Sequence, residues 1–139
     1  MRGASVVVGL SVLFVAVVPA RSAEVGDLAC IEEMVVPPYS FIARRAQQPG
    51  TVKATIRIGP NGSMAGLELN SPDKDLALEV ETFVKLYTVF RADCNGKVVT
   101  LVFTFRLEGP PVLGPTVRVW FRGPNHFVIV SQPQAPIIN

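Results

Sequence analysis

The fold is decided by the stretch 51–70, TVKATIRIGPNGSMAGLELN. Its first half alternates apolar and polar residues, which predicts a strand over Thr51–Ile58 with one packed face and one wet face. Asn61-Gly62 predicts a hairpin turn, and the return strand is expected from about Met64 to Asn70. On one face of that return strand lie Ala65, Leu67 and Leu69.

Helices are predicted on either side of this hairpin. Tyr39–Gln47 is expected to form a short one that ends before Pro49-Gly50. After the hairpin, Ser71 is expected to cap the main helix and Pro72 to occupy its first position. A single apolar stripe then predicts that this helix covers the dry face of the sheet. The stripe consists of Leu76, Val80, Phe83, Val84 and Tyr87.

Further strands follow the main helix. Lys97–Leu107 alternates over its whole length, which predicts a long strand. Thr116–Arg122 and His126–Ser131, joined by Gly123-Pro124-Asn125, predict a second hairpin. The expected fold class is therefore α+β: a small antiparallel sheet packed on one main amphipathic helix, with a C-terminal β-hairpin extension.

The N-terminus has the pattern of an export signal. Arg2 precedes an uncharged stretch, Ala4–Val18, which is shorter than the roughly 20 residues of a membrane span. Cleavage is expected after Ala20, Ser22 or Ala23, and an uncleaved short inner-membrane anchor is the alternative. The expected divisions are a signal peptide (1–22), a lead-in (23–35), a domain (36–108), and a Pro-rich linker, hairpin and tail (109–139).

The two cysteines, Cys30 and Cys94, are far apart in the sequence. Export would place them in an oxidising compartment, where a disulfide between them is expected. Such a bridge would stabilise the fold by roughly 4 kcal/mol. Two free thiols, or a redox pair lacking the C-x-x-C spacing, are the alternatives.

Composition excludes several functions. The 139 residues carry 13 Lys+Arg and 11 Asp+Glu without basic runs, so no nucleic acid partner is expected. One His and two Cys do not make a usual zinc framework. His126 is expected to be a surface strand residue. No catalytic residue, metal, cofactor or small-molecule substrate is inferred. Four carboxylates lie on or just before the main helix, where they are expected to complement the helix dipole or to face water: Asp73, Asp75, Glu79 and Glu81.

An ordered series of short motifs resembles the TonB C-terminal domain family over about residues 36–107. The motifs are Pro38-Tyr39, Ala43-Arg44, Gly50-Thr51-Val52, Asn61-Gly62, Phe90-Arg91-Ala92 and Asn95-Gly96-Lys97-Val98. The sequence departs from the family pattern at Ser40 and Ala92, where the family usually has Pro, and at Cys94 in the turn.

The resemblance implies a TonB/TolA C-terminal-like fold and a periplasmic module of TonB-dependent transmembrane transport. It also implies a partner that pairs with the last strand: a TonB-box-like peptide of an outer-membrane transporter, or another bacterial envelope protein. The residues expected to bind it are Tyr39, Arg44, Val98, Thr100, Val102, Thr104 and Arg106.

Two hypotheses follow for the function. In the first, the protein is a peptide-binding adaptor that adds a partner strand to the edge of Lys97–Leu107. In the second, it is a structural module of the cell envelope whose sheet edge is capped by its own second hairpin. Residues 116–131 distinguish the two, because their pairing with the long strand would block its edge.

Overall fold

A computed structural model describes residues 28–137 of the chain. The predicted signal peptide, residues 1–22, lies outside this range. None of the helices within the range is long and apolar enough to cross a membrane. In chain order the helices and strands are β1 (Ile31–Glu33), α1 (Phe41–Arg45), β2 (Gly50–Ile58), β3 (Met64–Asn70), α2 (Lys74–Tyr87), β4 (Val89–Phe90), β5 (Val98–Leu107), β6 (Val117–Arg122) and β7 (His126–Ser131).

The main sheet has five strands in the order β3-β2-β5-β7-β6. β2 is antiparallel to both β3 and β5, and β6 is antiparallel to β7. β7 is parallel to β5, pairing from Val102↔His126 to Leu107↔Ser131. The mixed α+β class is as predicted. The sheet, however, is not wholly antiparallel. The second hairpin, predicted as an extension outside the sheet, supplies two of its five strands.

The two strands of the second hairpin differ in a way that explains their order. β7 has apolar residues on both faces, Phe127 to Val130, which suits a strand buried between two neighbours. β6 carries Arg118 between apolar residues and Arg122 at its end, and charged residues are characteristic of sheet edges. β7 therefore lies inside the sheet and β6 outside.

The core lies between the sheet and α2. As predicted, the apolar residues of β2 and β5 face the helix. β7 adds Phe127 and Ile129 to the same core, and the hairpin therefore belongs to the hydrophobic core of the domain. The buried residues of β2 and β5 are Val52, Ala54, Ile56, Ile58, Val99, Leu101, Phe103 and Phe105.

Helix α2 differs from the prediction at its start and in the width of its packed face. Asp73 is the N-cap: its carboxylate accepts a hydrogen bond of 3.0 Å from the Leu76 amide. Ser71, the predicted cap, instead accepts one from the Asp73 amide at 3.2 Å. The helix buries Leu76, Val80 and Val84. Tyr87, predicted to lie on the packed stripe, is 47% exposed, because the packed face is narrower than the apolar stripe.

The predicted disulfide between Cys30 and Cys94 is present, with the two Cα atoms 5.8 Å apart. It joins the segment before β1 to the turn before β5. Ile31 of β1 pairs with Phe90 of β4 in a separate two-stranded sheet. The lead-in is thus attached to the domain by both a covalent bond and backbone pairing.

Candidate protein-binding surface

The residues predicted to bind a peptide strand on β5 lie in a strand with two neighbours. β2 pairs with one side of β5, and β7 pairs with the other. These residues alternate along the face of the sheet that α2 does not cover: Val98, Thr100, Val102, Thr104 and Arg106.

Hydrogen bonds show which backbone groups of β5 face β7. The Val102 amide donates to the Asn125 carbonyl at 3.0 Å, and the Glu108 amide donates to the Ser131 carbonyl at 2.9 Å. In a parallel ladder every second residue bonds to the same neighbour. The amides of Val102, Thr104 and Arg106 therefore face β7 and are used within the chain.

Removing β7 from β5 would be costly. The side chains of Phe127, Val128, Ile129 and Val130 are 9%, 3%, 0% and 0% exposed. Exposing four such side chains costs about 6–12 kcal/mol at 1.5–3 kcal/mol each. A peptide of micromolar affinity contributes only about 8 kcal/mol. Displacing β7 would therefore consume most or all of the binding free energy of such a peptide.

Polar side chains connect the three inner strands on the uncovered face. Thr104 Oγ1 lies 3.1 Å from Thr51 Oγ1 and 2.8 Å from His126 Nε2. The Asn125 side-chain amide donates to the Thr100 carbonyl at 2.8 Å. His126, expected at the surface, is half-buried in this network, where it helps to hold β7 against β5.

Tyr39 and Arg44 lie together, and both make internal contacts. The Arg44 guanidinium donates to the Tyr39 carbonyl at 3.0 Å. The Tyr39 hydroxyl donates to the Gln48 carbonyl at 2.6 Å, and its ring packs edge-on against Phe105, 5.3 Å between centroids. Burial, reinforced by Asp73 and opposed by Arg44, raises the pKa of Tyr39 far above its ordinary value. These contacts support the core, so a role in selecting a peptide stays a prediction.

Gln134 is a structural residue that no sequence pattern predicts. It belongs to the C-terminal tail, yet it is buried. Its side chain accepts a hydrogen bond from Arg44 at 2.9 Å and donates to the Leu113 carbonyl at 3.1 Å. A single buried amide thereby joins α1, the linker and the tail. A lone Gln between two prolines carries no pattern that indicates such a contact.

β6 is the exposed edge of the sheet beyond β7. All six of its residues are exposed. Val117, Val119 and Phe121 lie on the helix side, opposite Ser131, Ile129 and Phe127. Their exposed fractions are 43%, 46% and 49%. A ladder of aromatic rings, Phe103–Phe127–Phe121, leads from the core to this edge with centroid spacings of 5.5 and 5.1 Å.

The other face of β6 combines charge with an aromatic ring. The Arg118 guanidinium carbon lies 5.0 Å from the centre of the Trp120 ring. Arg118 also donates to Glu108 at 3.4 Å. Trp120 is 42% exposed. A large aromatic residue beside an arginine is typical of protein interfaces.

The backbone of β6 leaves every second residue unpaired within the chain. Phe127, Ile129 and Ser131 direct their amides and carbonyls to β5, as the ladder described above requires. Val128 and Val130 must then bond to their β6 partners, Trp120 and Arg118. The backbone amides and carbonyls of Val117, Val119 and Phe121 therefore point away from β7, toward the open side of the sheet.

The opposite edge, β3, is less suited to binding. Leu67 and Leu69 are partly buried against the core, so their side chains are already in use. Glu68 and Asn70 are exposed. β6 therefore presents more unburied apolar surface than β3.

A shallow groove of about 680 Å³ is lined in part by Glu32, Arg91 and Asp93. A hydrogen bond from Arg91 lowers the pKa of Asp93, and the two form an ion pair of 2.7 Å. Within residues 28–137, no group of three or more His, Cys, Asp or Glu side chains could hold a metal ion.

The helix carboxylates have separate local surroundings. Asp73 caps α2, as described above, and Glu81 pairs with Lys85 at 2.8 Å. Partial burial raises the pKa of Glu79. Asp75 is exposed in the first turn of the helix, where the helix dipole favours a negative charge.

Comparison of the chain with protein-family models, with curated proteins and with solved structures finds no significant match. The resemblance to the TonB C-terminal domain therefore stays a prediction that depends on the motifs themselves.

Proposed function

We propose that this chain is a non-enzymatic protein-binding module of the bacterial cell envelope, and that a partner segment adds as a strand to β6. The support is the edge itself, where exposed Val119, Trp120 and Phe121 accompany unpaired backbone groups. Strand addition combines backbone hydrogen bonds with pockets for alternate side chains. The unpaired backbone groups of an edge strand are a template for pairing with another chain.

A periplasmic location fits the covalent chemistry of the chain. The Cys30–Cys94 disulfide is of the kind that persists in an oxidising compartment. In that compartment the partners would be extended segments, such as TonB-box-like peptides of outer-membrane transporters, or other envelope proteins. The signal peptide inferred from residues 1–22 would direct export.

The position of the binding edge is where this proposal departs from the family resemblance. The resemblance implies binding at the strand that is β5 here, whose edge β7 occupies over six residue pairs. β6 pairs with the other side of β7 and is the outermost strand of the sheet. The second hairpin would thus transfer the binding edge outward by two strands.

A structural role in the envelope is the second candidate. It is favoured by the pairing of β7 with β5, which caps the edge that a family member would use. In that case no peptide would bind at β6, and the hairpin would serve only to complete the sheet.

Proline substitution tests the proposed edge. Val119→Pro removes an outward amide and leaves the β6–β7 bonds intact, because proline is tolerated where the N–H faces solvent. Immobilised TonB-box-like peptides of outer-membrane transporters serve as probes. We expect Val119→Pro to weaken their binding by more than about tenfold. Val119→Ala, which keeps the amide, is the matched control and should bind nearly as the wild type does.

Two results would reject binding at β6. One is equal binding by Val119→Pro and the wild type, which would move the site elsewhere. The other is a folded wild-type protein that binds none of the peptides, which would leave the structural role. Circular dichroism of each variant shows whether the fold is retained.

A further inference from the structure

We infer that β6 also pairs with β6 of a second copy of this chain, forming a symmetric dimer with one continuous sheet; this rests on the proposed role of β6 as the binding edge. The inference is drawn from the outward backbone groups of β6 and from the side chains on each of its two faces. A two-fold axis perpendicular to the sheet would place two β6 strands antiparallel and keep each face on its own side.

The outward backbone groups define which residues can bond across such an axis. They belong to Val117, Val119 and Phe121, as derived above from the ladder of β5, β7 and β6. If Val119 lies opposite Val119 of the second copy, Val117 lies opposite Phe121. Every outward amide and carbonyl of the strand then has a bonding partner.

Side chains in this register are complementary on both faces. On the helix side, Val119 meets its own copy and Val117 meets Phe121, which places exposed apolar groups together. On the other side Arg118 lies opposite Trp120, where a cation–π contact like the one already present within the strand can form. Cross-strand pairs of this kind each contribute roughly 0.2–1 kcal/mol.

Neighbouring registers are unfavourable. A shift in one direction places Arg118 opposite Arg118 of the second copy. The opposite shift places Arg118 opposite Arg122. Like charges directly opposite each other destabilise a sheet. The register centred on Val119 is the one that bonds the whole strand and avoids both arrangements.

Cysteine crosslinking tests the register. Both native cysteines are in the disulfide, so an added thiol is free to react. Val119→Cys would place two Cα atoms about 5.5 Å apart, within the roughly 4.4–6.8 Å that a disulfide spans. Val117→Cys is the matched control, because it lies on the same face and its two copies would be more than about 13 Å apart.

We expect mild oxidation to convert most of Val119→Cys, and little of Val117→Cys, into a covalent dimer. Sedimentation of the wild type from ~1 µM to ~0.5 mM should show a reversible dimer. The dimer should persist in Val119→Ala and be lost in Val119→Pro. Equal crosslinking of the two cysteine variants would overturn the register, and a monomeric wild type over the whole range would overturn the dimer.

Peptide binding separates this inference from the proposed function. If the wild type is monomeric yet captures transporter peptides in a manner that Val119→Pro abolishes, the dimer is rejected and β6 remains the binding edge. If the dimer forms as described and dilute monomer captures no peptide, the second copy is supported and the transporter partner is rejected.

Discussion

Replacing Ile129 with alanine is expected to lower the free energy of unfolding by about 2–5 kcal/mol, which is a large part of the stability of a small domain. Ile129 is 0% exposed and belongs to the same hydrophobic core as Phe103 and Phe105. Its truncation would leave a cavity where β7 meets β5. Denaturant unfolding followed by circular dichroism measures the change.

Val119→Ala is the matched control, because Val119 is the cross-strand partner of Ile129 on the same face of the sheet. Val119 is 46% exposed, and its truncation should cost less than about 1 kcal/mol. The measurement is made at a concentration where the protein is monomeric. Similar small losses for both variants would show that the second hairpin contributes little to the core.

Removing the disulfide is expected to have the second large effect. The bond joins residues 64 positions apart. A variant carrying both Cys30→Ala and Cys94→Ala should lose roughly 4 kcal/mol of unfolding free energy, because the unfolded chain is no longer constrained. Both half-cystines are buried, so lost packing adds to the change.

Reduced wild-type protein serves as the control, since it lacks the bond and keeps the sulfur atoms. It should lose only the contribution of the bond, roughly 4 kcal/mol, and therefore be somewhat more stable than the double alanine variant. Alkylation of the native protein without reductant should label neither cysteine. Labelling of both, or a double alanine variant as stable as the oxidised protein, would contradict the expected contribution of the bridge.

Alternation in the sequence predicts the five strands of the main sheet, but not the short strands β1 and β4. The long strand was expected at Lys97–Leu107 and is found at Val98–Leu107; the second hairpin was expected from Thr116 and begins at Val117. Period-two patterns identify a strand and its packed face because neighbouring side chains point to opposite sides. The core residues of β2 and β5 were predicted for the same reason.

Strand order could not be predicted in the same way. A pattern of alternate residues does not show whether a strand pairs in parallel or antiparallel, or which member of a hairpin is inside. The apolar run Phe127 to Val130 was the available signal, since both of its faces are apolar. The arginines of β6 indicated the outer position. The family resemblance places the binding edge at β5, because it does not include the second hairpin.

Helix α2 shows another limit of the sequence. Ser71 and Asp73 are both good N-cap residues, and their order of preference depends on backbone geometry that the sequence does not contain. The apolar stripe predicts the length of the helix but not how many of the stripe's residues are buried. Tyr87 is 47% exposed, and its ring lies against that of Phe83 with the ring centroids 5.1 Å apart.

Residue-specific amide hydrogen exchange of dilute, monomeric protein tests most directly whether β7 occupies the edge of β5 and leaves β6 free. The amides of Val102, Thr104 and Arg106, which face β7, are predicted to be as protected as that of Leu101, which faces β2. The outward amides of Val119 and Phe121 should exchange rapidly. Rapid exchange at Val102, Thr104 and Arg106, with a protected Leu101, would show an open β5 edge and contradict this account.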